Sequence, residues 1–193
     1  MGLPKPMLDS LIPQFFLQRK ILLFDKIDGQ VQESVTQAIL ALNLSGQEPI
    51  TLLIDSTGGS TISGRCIADA IRCSQAPVHG LVVGDALSMA FWILQNCQRR
   101  IAYPHARMMS HGYAMNEVRC DQKDYREKAE QLILWHAEDL GVLARRSGQS
   151  VEQWRKWSSD EHYFSASDGI RLGILDGTAP AKPLPGAETV TAS

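Results

Sequence analysis

Three short apolar runs, separated by segments of helical character, most constrain the fold of this chain. The runs KILLF (20–24), ITLLIDS (50–56) and VHGLVVGD (78–85) are rich in branched aliphatic residues and end at turn or capping residues, as strands buried on both faces do. The segments between them place apolar residues on one helical face and close before a proline, which is a typical helix-stop signal. This alternation predicts an α/β fold with a largely parallel sheet and helices packed on it.

The remaining sequence extends this pattern. GDALSMAF (84–91) predicts a strand-to-helix turn, and RRIAYP and ARMMSHG (99–104 and 106–112) are two short strand candidates. Residues 121–147 carry apolar positions within a highly charged segment, which predicts a long amphipathic helix. A second helix is expected near Ser150, and FSASDGIRLGILD (164–176) predicts a short helix followed by a final strand.

Chain length sets the expected domain organisation. A chain of 193 residues can bury one sizeable core. We expect an N-terminal arm at 1–19, one domain at 20–178 that includes the long helix, and a disordered tail at 179–193, where the composition is small and proline-containing,.

The charge balance argues against two classes of partner. The chain has 19 Lys and Arg against 21 Asp and Glu, without a long run of either sign. It therefore lacks the basic footprint that nucleic acid or an anionic membrane requires. No apolar stretch is long enough to span a bilayer, and prolines interrupt the N-terminal region where a signal peptide needs a continuous apolar core,. We therefore expect a cytoplasmic protein that binds neither nucleic acid nor membrane.

The cysteines do not indicate a metal or redox site. Four are present, without a C-x-x-C pair, and no histidine or carboxylate pair has the spacing of zinc ligands,. We expect reduced, mostly buried cysteines, and neither a metal nor a cofactor. The cysteines are Cys66, Cys73, Cys97 and Cys120.

Ser88 has two explanations. It can be the N-cap of the apolar helix that follows it, or a nucleophile held at the strand-to-helix turn. A serine hydroxyl is a poor nucleophile unless a base takes its proton, and histidine is the usual base. Of the five histidines, His111 ends an apolar strand just before Gly112, where a parallel sheet presents functional groups to a crevice.

Two further segments could complete such a site. The glycines of DSTGGS (55–60) follow a buried strand, so they form either a plain turn or a loop whose amides donate to an oxyanion. The segment matches no phosphate-binding motif. Asp160 and Glu161 are adjacent, and either could orient an imidazole or be an ordinary loop charge.

Five segments together resemble the ClpP family, the serine peptidase subunits of the Clp proteases. The resemblance covers roughly residues 20–177 and implies a crotonase-like α/β fold whose protruding handle is the helix at 121–147. It also implies stacked heptameric rings that enclose a chamber fed by an AAA+ unfoldase. The segments are LLIDSTGGSTISG, GLVVGDALSMAFWIL, ARMMSHG, RRSGQSVEQW and YFSASDGIRLGILD.

The resemblance also implies roles for individual residues. Ser88 matches the nucleophile and His111 the general base, while Gly59 and Met89 match the residues whose backbone amides form the oxyanion hole. The third triad member is usually an aspartate. The residue that aligns with it here is Glu161, with Asp160 one place earlier as the alternative.

Three departures indicate a divergent member of the family. The usual NSPGGS is DSTGGS here, with Asp55 for Asn and Thr57 for Pro, and MMSHG lacks the His-Gln-Pro continuation. Only about 20 residues precede the first core strand, without the glycine-containing hairpin of the family. These departures bear on whether an unfoldase docks and on the ring size.

The hypothesis that follows is a serine endopeptidase that hydrolyses unfolded proteins or peptides inside an oligomeric chamber by a Ser-His-acid acyl-enzyme mechanism. The alternative is a catalytically weak structural subunit that assembles with an active paralogue. A Ser-Lys dyad is disfavoured, because no lysine lies between Lys26 and Lys123 and the base would have to be Lys123 or Lys128 of the handle.

Overall fold

The computed structural model describes residues 5–113 and 122–180, in which strands and helices alternate as the sequence predicts. The strands are β1 (Lys20–Leu23), β2 (Ile50–Ser56), β3 (Val78–Leu87), β4 (Arg99–Ala102), β5 (Arg107–Ser110), β6 (His162–Ser165) and β7 (Gly177–Thr178). The helices are α1 (Lys5–Leu17), α2 (Gly29–Leu44), α3 (Thr61–Arg72), α4 (Met89–Asn96), α5 (Gln122–Ser147), α6 (Val151–Trp157) and α7 (Ala166–Arg171).

The strands form one sheet whose main path is parallel. Its order is β1-β2-β3-β4-β7, and every pair along this path is parallel. Strand β3 is long enough to serve two neighbours on one side, because β4 pairs with its first half and β5 pairs with its last three residues. Strand β6 then pairs with β5 in the antiparallel sense. The predicted α/β class with a largely parallel sheet is confirmed.

Helices cover the sheet and bury its aliphatic side chains. Strand β2 is buried on both faces over Leu52–Ile54, which explains its unbroken apolar run. A cluster of three aromatic rings joins α4, α6 and β6, with ring centroids 5.8–6.0 Å apart. Burial of each such ring stabilises the fold by about 1.5–3 kcal/mol, so this cluster fixes α4, which begins directly after Ser88. The rings are Phe91, Trp154 and Phe164.

A buried arginine connects β4 to the segment before β7. Arg100 Nη2 lies 2.6 Å from Asp176 Oδ1, and Arg100 Nη1 donates to Gln95 Oε1 at 2.9 Å. Burial alone would raise the pKa of Asp176, but the hydrogen bonds and charge of Arg100 outweigh it and lower that pKa,.

Some expectations need correction. Residues 5–17 of the expected N-terminal arm form a helix, although Pro13 lies inside it. The final strand comes after 164–176 rather than within it, and strand β6 was not predicted. Cys66 and Cys73 are exposed, so the cysteines are not mostly buried. Most of the expected tail, residues 181–193, and the first residue of the expected handle lie outside the described residues. Within the described chain, no helix is both long and apolar enough to cross a membrane.

Candidate active site

Ser88 occupies a sharp turn between β3 and α4. Its backbone has φ 55° and ψ −120°. Residues other than glycine rarely adopt such a positive φ. Its N–H donates to the Met109 carbonyl at 2.9 Å, which ties the turn to β5. The residue stands at the N-cap position of α4 but makes no side-chain capping bond. The capping explanation of this hydroxyl is therefore wrong.

The Ser88 hydroxyl is instead paired with His111. Ser88 Oγ lies 2.7 Å from His111 Nε2. His111 directly follows β5, and the pairing of Leu87 with Met109 brings the ends of β3 and β5 together. A neutral imidazole with its proton on Nδ1 can accept the hydroxyl proton at Nε2. The two residues, 23 positions apart in the sequence, thus have the geometry of a nucleophile and its base.

A glycine loop lies against the same turn. Gly58 and Gly59 have φ values of 88° and 152°. A Cβ atom on Gly58 would lie 2.6 Å from the Leu87 carbonyl oxygen and 2.8 Å from the Met89 nitrogen, so only glycine allows this approach. The loop is held by Ile27, whose N–H donates to Gly58 O at 2.9 Å and whose carbonyl accepts from Ser60 N–H at 2.7 Å.

These contacts do not use the amides of Gly59 and Met89. The bridge to Ile27 involves the Gly58 carbonyl and the Ser60 N–H, so it does not engage the Gly59 N–H. Met89 is the first residue of α4, where a backbone N–H has no acceptor within its own helix. Both residues line one cavity together with Ser88 and His111. Gly59 and Met89 thus lie in the wall of the cavity that Ser88 and His111 also line.

Asp55 lies away from this cavity. Its Oδ1 accepts from the Asp85 N–H at 2.9 Å. It lines a separate surface pocket with Thr57, whereas the Ser88 cavity is lined by other residues. Asp85 in turn pairs with Arg107 at 2.7 Å. The replacement of the usual Asn by Asp55 therefore puts no carboxylate in the cavity that holds Ser88.

Neither carboxylate predicted to orient His111 is engaged with it. The register of β5 and β6 ends where Ser110 pairs with His162, and its continuation by one residue would set Glu161 opposite His111. Glu161 Oε2 nevertheless accepts from the Tyr163 hydroxyl at 3.1 Å. Asp160 is exposed, as Glu161 is. Among the described residues, no carboxylate makes a hydrogen bond with His111.

The cavity beside Ser88 extends to the inner face of α5. Its volume is about 200 Å³, and His136, Asp139 and Leu143 form the part of its wall that comes from this helix. This polar part of the wall was not predicted from the sequence. The sequence nevertheless contains a signal for it. Asp139 lies three positions after His136 and four before Leu143, so the helical period places the three residues on one face.

Asp139 is the centre of a buried hydrogen-bond network. It is 5% exposed, its Oδ1 accepts from Arg65 Nη1 at 2.7 Å, and its Oδ2 accepts from the Tyr113 hydroxyl. Burial raises the pKa of Asp139, while Tyr113 and Arg65 oppose that shift. The pKa of His136 is lowered by burial, and to a smaller extent by Arg155 and His111, which favours the neutral imidazole.

The lysine alternative has no support in this geometry. Lys123 is 81% exposed and pairs with Glu127, and no lysine lines the Ser88 cavity in the described part of the chain. Nor do the described residues contain a group of three or more His, Cys, Asp or Glu side chains that could hold a metal ion.

Comparison with known proteins agrees with this geometry. A family model described as Clp protease matches residues 6–181. The chain belongs to the Clp protease family. The resemblance seen in the sequence is therefore confirmed, and the α/β architecture is that of a ClpP-like serine peptidase.

Curated relatives cover most of the chain. A protein of Corynebacterium diphtheriae is 31% identical over 173 residues, which are 87% of this chain and 85% of the relative. A protein of Thermobifida fusca is 29% identical over 89% of this chain and 86% of its own length, and one of Gluconobacter oxydans is 29% identical over 88% and 77%. Each is named ATP-dependent Clp protease proteolytic subunit 2. At this identity, the ClpP-like chain is a divergent member of its family.

Proposed function

We propose that the chain is a serine endopeptidase that cleaves unfolded proteins or peptides inside an oligomeric chamber, with Ser88 as nucleophile and His111 as base. The observation that carries this proposal is the 2.7 Å contact between Ser88 Oγ and His111 Nε2 at a turn where the serine does not cap its helix. The coarser statement, a ClpP-like serine peptidase, already follows from family membership.

Acylation follows from the position of each group. His111 Nε2 takes the Ser88 proton as Oγ bonds to the carbonyl carbon, and the carbonyl oxygen becomes an oxyanion bound by the Gly59 and Met89 amides. The intermediate then collapses, the C–N bond breaks, and the imidazolium gives its proton to the leaving amine. Water repeats these steps on the acyl-enzyme and frees Ser88.

Glu161 completes the triad in this proposal. Continued by one residue, the register of β5 and β6 would set Glu161 opposite His111, and a rotation of its side chain away from Tyr163 would let it accept from the imidazole Nδ1–H. Asp160, the alternative, lies one position earlier, in the bend before β6. The register therefore favours Glu161.

The proposal includes partners and surroundings. The relatives are named as subunits of an ATP-dependent protease, which supports assembly of this chain into stacked rings. The resemblance implies that these rings are heptameric. The proposed partners are an AAA+ unfoldase or a paralogous subunit. We further propose a cytoplasmic location and one peptidase domain at 20–178, with 1–19 as an arm and 179–193 as a tail.

Hydrolysis of a fluorogenic peptide by the assembled protein tests this function. Ser88→Ala should lower kcat by about 10³-fold or more. Ser159→Ala is the matched control, because Ser159 is exposed and donates only to the Lys156 carbonyl, and it should retain activity. Equal activity of Ser88→Ala and the unaltered protein would refute the assignment of the nucleophile.

One observation favours the alternative of a catalytically weak structural subunit. The Glu161 carboxylate is bound to Tyr163 rather than to His111, so the triad is incomplete as it stands. In this alternative the chain has no activity alone and co-purifies with an active paralogue. If the particle shows activity that Ser88→Ala in this chain leaves unchanged, the structural role is correct.

A further inference from the structure

We propose that Asp139 makes the cavity beside Ser88 selective for substrate side chains that donate hydrogen bonds, such as lysine or glutamine, at the residue preceding the scissile bond. The inference rests on the proposed function, because it takes Ser88 as the nucleophile. It concerns a residue of α5 that lies 51 positions after Ser88 in the sequence and has no part in the proton transfers.

The position of the cavity identifies the side chain that enters it. A carbonyl carbon bonded to Ser88 Oγ, with its oxygen at the Gly59 and Met89 amides, carries its own side chain one bond away. The cavity is lined by these same residues and also by Asp139 and Leu143 of α5. The substrate side chain next to the scissile carbonyl therefore points into this cavity.

The α5 part of the cavity wall contains two polar side chains, Asp139 and His136, beside the apolar Leu143. Tyr113 contacts both polar side chains, and Ser110 and Ser158 also line the cavity. Each Asp139 oxygen accepts one hydrogen bond, from Arg65 and from Tyr113 respectively. A carboxylate has about four acceptor sites, so acceptor capacity remains for a donor that enters the cavity. An aliphatic side chain would instead desolvate this carboxylate without giving a hydrogen bond in return.

The charge around Asp139 is also unbalanced. Arg65 binds two carboxylates, Asp139 at 2.7 Å and Glu138 at 3.0 Å, so these three groups together carry a net negative charge. Arg65 does not line the cavity, whereas Asp139 does. Burial lowers the pKa of His136, which also lines the cavity, and so favours its uncharged form,. A donor that carries positive charge is thus favoured by both hydrogen bonding and charge.

Covalent probes of the assembled protein test this inference. Peptidyl diphenyl phosphonates that differ only in the side chain next to phosphorus (lysine, glutamine or norleucine) are compared by intact-mass measurement of the rate of adduct formation. A simple fluorophosphonate without a peptide serves as the reference. Lysine and glutamine probes should react at least about tenfold faster than the norleucine probe, because a hydrogen bond to a charged group has an effect of about this size.

Two variants assign the preference to Asp139. Asp139→Asn keeps the shape of the side chain and removes its charge, and it should reduce the lysine-to-norleucine ratio to about threefold or less. Glu138→Gln is the matched control: it also removes a carboxylate bound to Arg65, but Glu138 is 65% exposed and lies outside the cavity wall. It should leave the ratio within about twofold.

The outcomes separate this inference from the proposed function. Modification of Ser88 by the simple fluorophosphonate, with the norleucine probe as fast as the lysine probe, overturns the role of Asp139 alone. Failure of every probe, including the simple one, overturns the proposed nucleophile and this inference together. The comparison in the unaltered protein decides the matter even if Asp139→Asn does not fold.

Discussion

The backbone of Ser88 provides a test of the site that does not depend on any substrate. Its φ of 55° and ψ of −120° place a side-chain-bearing residue in a sparsely populated region, which costs about 1–3 kcal/mol. Ser88→Gly removes the Cβ atom and with it this strain, whereas Ser88→Ala keeps it. Both variants lose the hydroxyl and its contact with His111, so the difference between them reports the backbone alone.

The expected difference follows from two opposing effects. Glycine has more freedom than alanine in the unfolded chain, which disfavours the glycine variant by about 0.4–1 kcal/mol. Relief of strain favours it by about 1–3 kcal/mol. The free energy of unfolding of Ser88→Gly should therefore exceed that of Ser88→Ala by about 1.3 kcal/mol at the middle of the two ranges.

Urea unfolding at equal subunit concentration measures this difference, since assembly would otherwise make stability depend on concentration. Leu40 is the matched control position, because it is 57% exposed and lies inside α2. There the order should reverse, with Leu40→Ala more stable than Leu40→Gly by about 1 kcal/mol. If Ser88→Ala proves as stable as Ser88→Gly, or more stable, the strained turn described here is incorrect.

Three further predictions concern the neighbours of Ser88. Glu161→Gln should lower kcat/KM for a peptide by about a hundredfold or more, while Asp160→Asn stays within about twofold, and the reverse order would make Asp160 the triad member. In Gly58→Ala, the new Cβ would lie 2.6 Å from the Leu87 carbonyl oxygen, at a φ of 88°. This variant should be destabilised by more than about 1 kcal/mol and should lose peptide hydrolysis. Normal activity would refute the close packing of this loop. Because the pKa of His136 is lowered in the folded protein, the unfolded chain takes up a proton at this residue at a higher pH than the folded chain does. The free energy of unfolding should therefore decrease as pH is lowered from about 6.5, and His136→Gln should flatten this slope in pH-dependent unfolding experiments, whereas an unchanged slope would contradict the assignment.

The sequence predicted the parts of the site that depend on strand ends. Ser88 and His111 each follow an apolar run, and parallel strands bring their carboxyl ends to one edge of the sheet, so the pair could be predicted before the 2.7 Å contact was seen. The close approach of the glycine loop to the Ser88 turn, seen at Gly58, is also typical of paired glycines after a buried strand, while the oxyanion role of Gly59 stays a prediction.

Other parts depend on features that the sequence does not contain. The role of Asp139 requires knowing which face of α5 meets the cavity, and the partner of Glu161 depends on a side-chain rotamer rather than on spacing. Strand β6 was missed because its four residues include polar side chains and pair only with β5. For so short a segment, pairing in the folded protein outweighs local preference.

Reaction of the assembled protein with a fluorophosphonate, followed by peptide mapping, tests the central claim most directly. We expect a single adduct on Ser88, formed much more slowly in His111→Gln, because Ser88 Oγ then lacks the base that lies 2.7 Å away,. An adduct on a different serine, or no adduct in a correctly assembled particle, would contradict it.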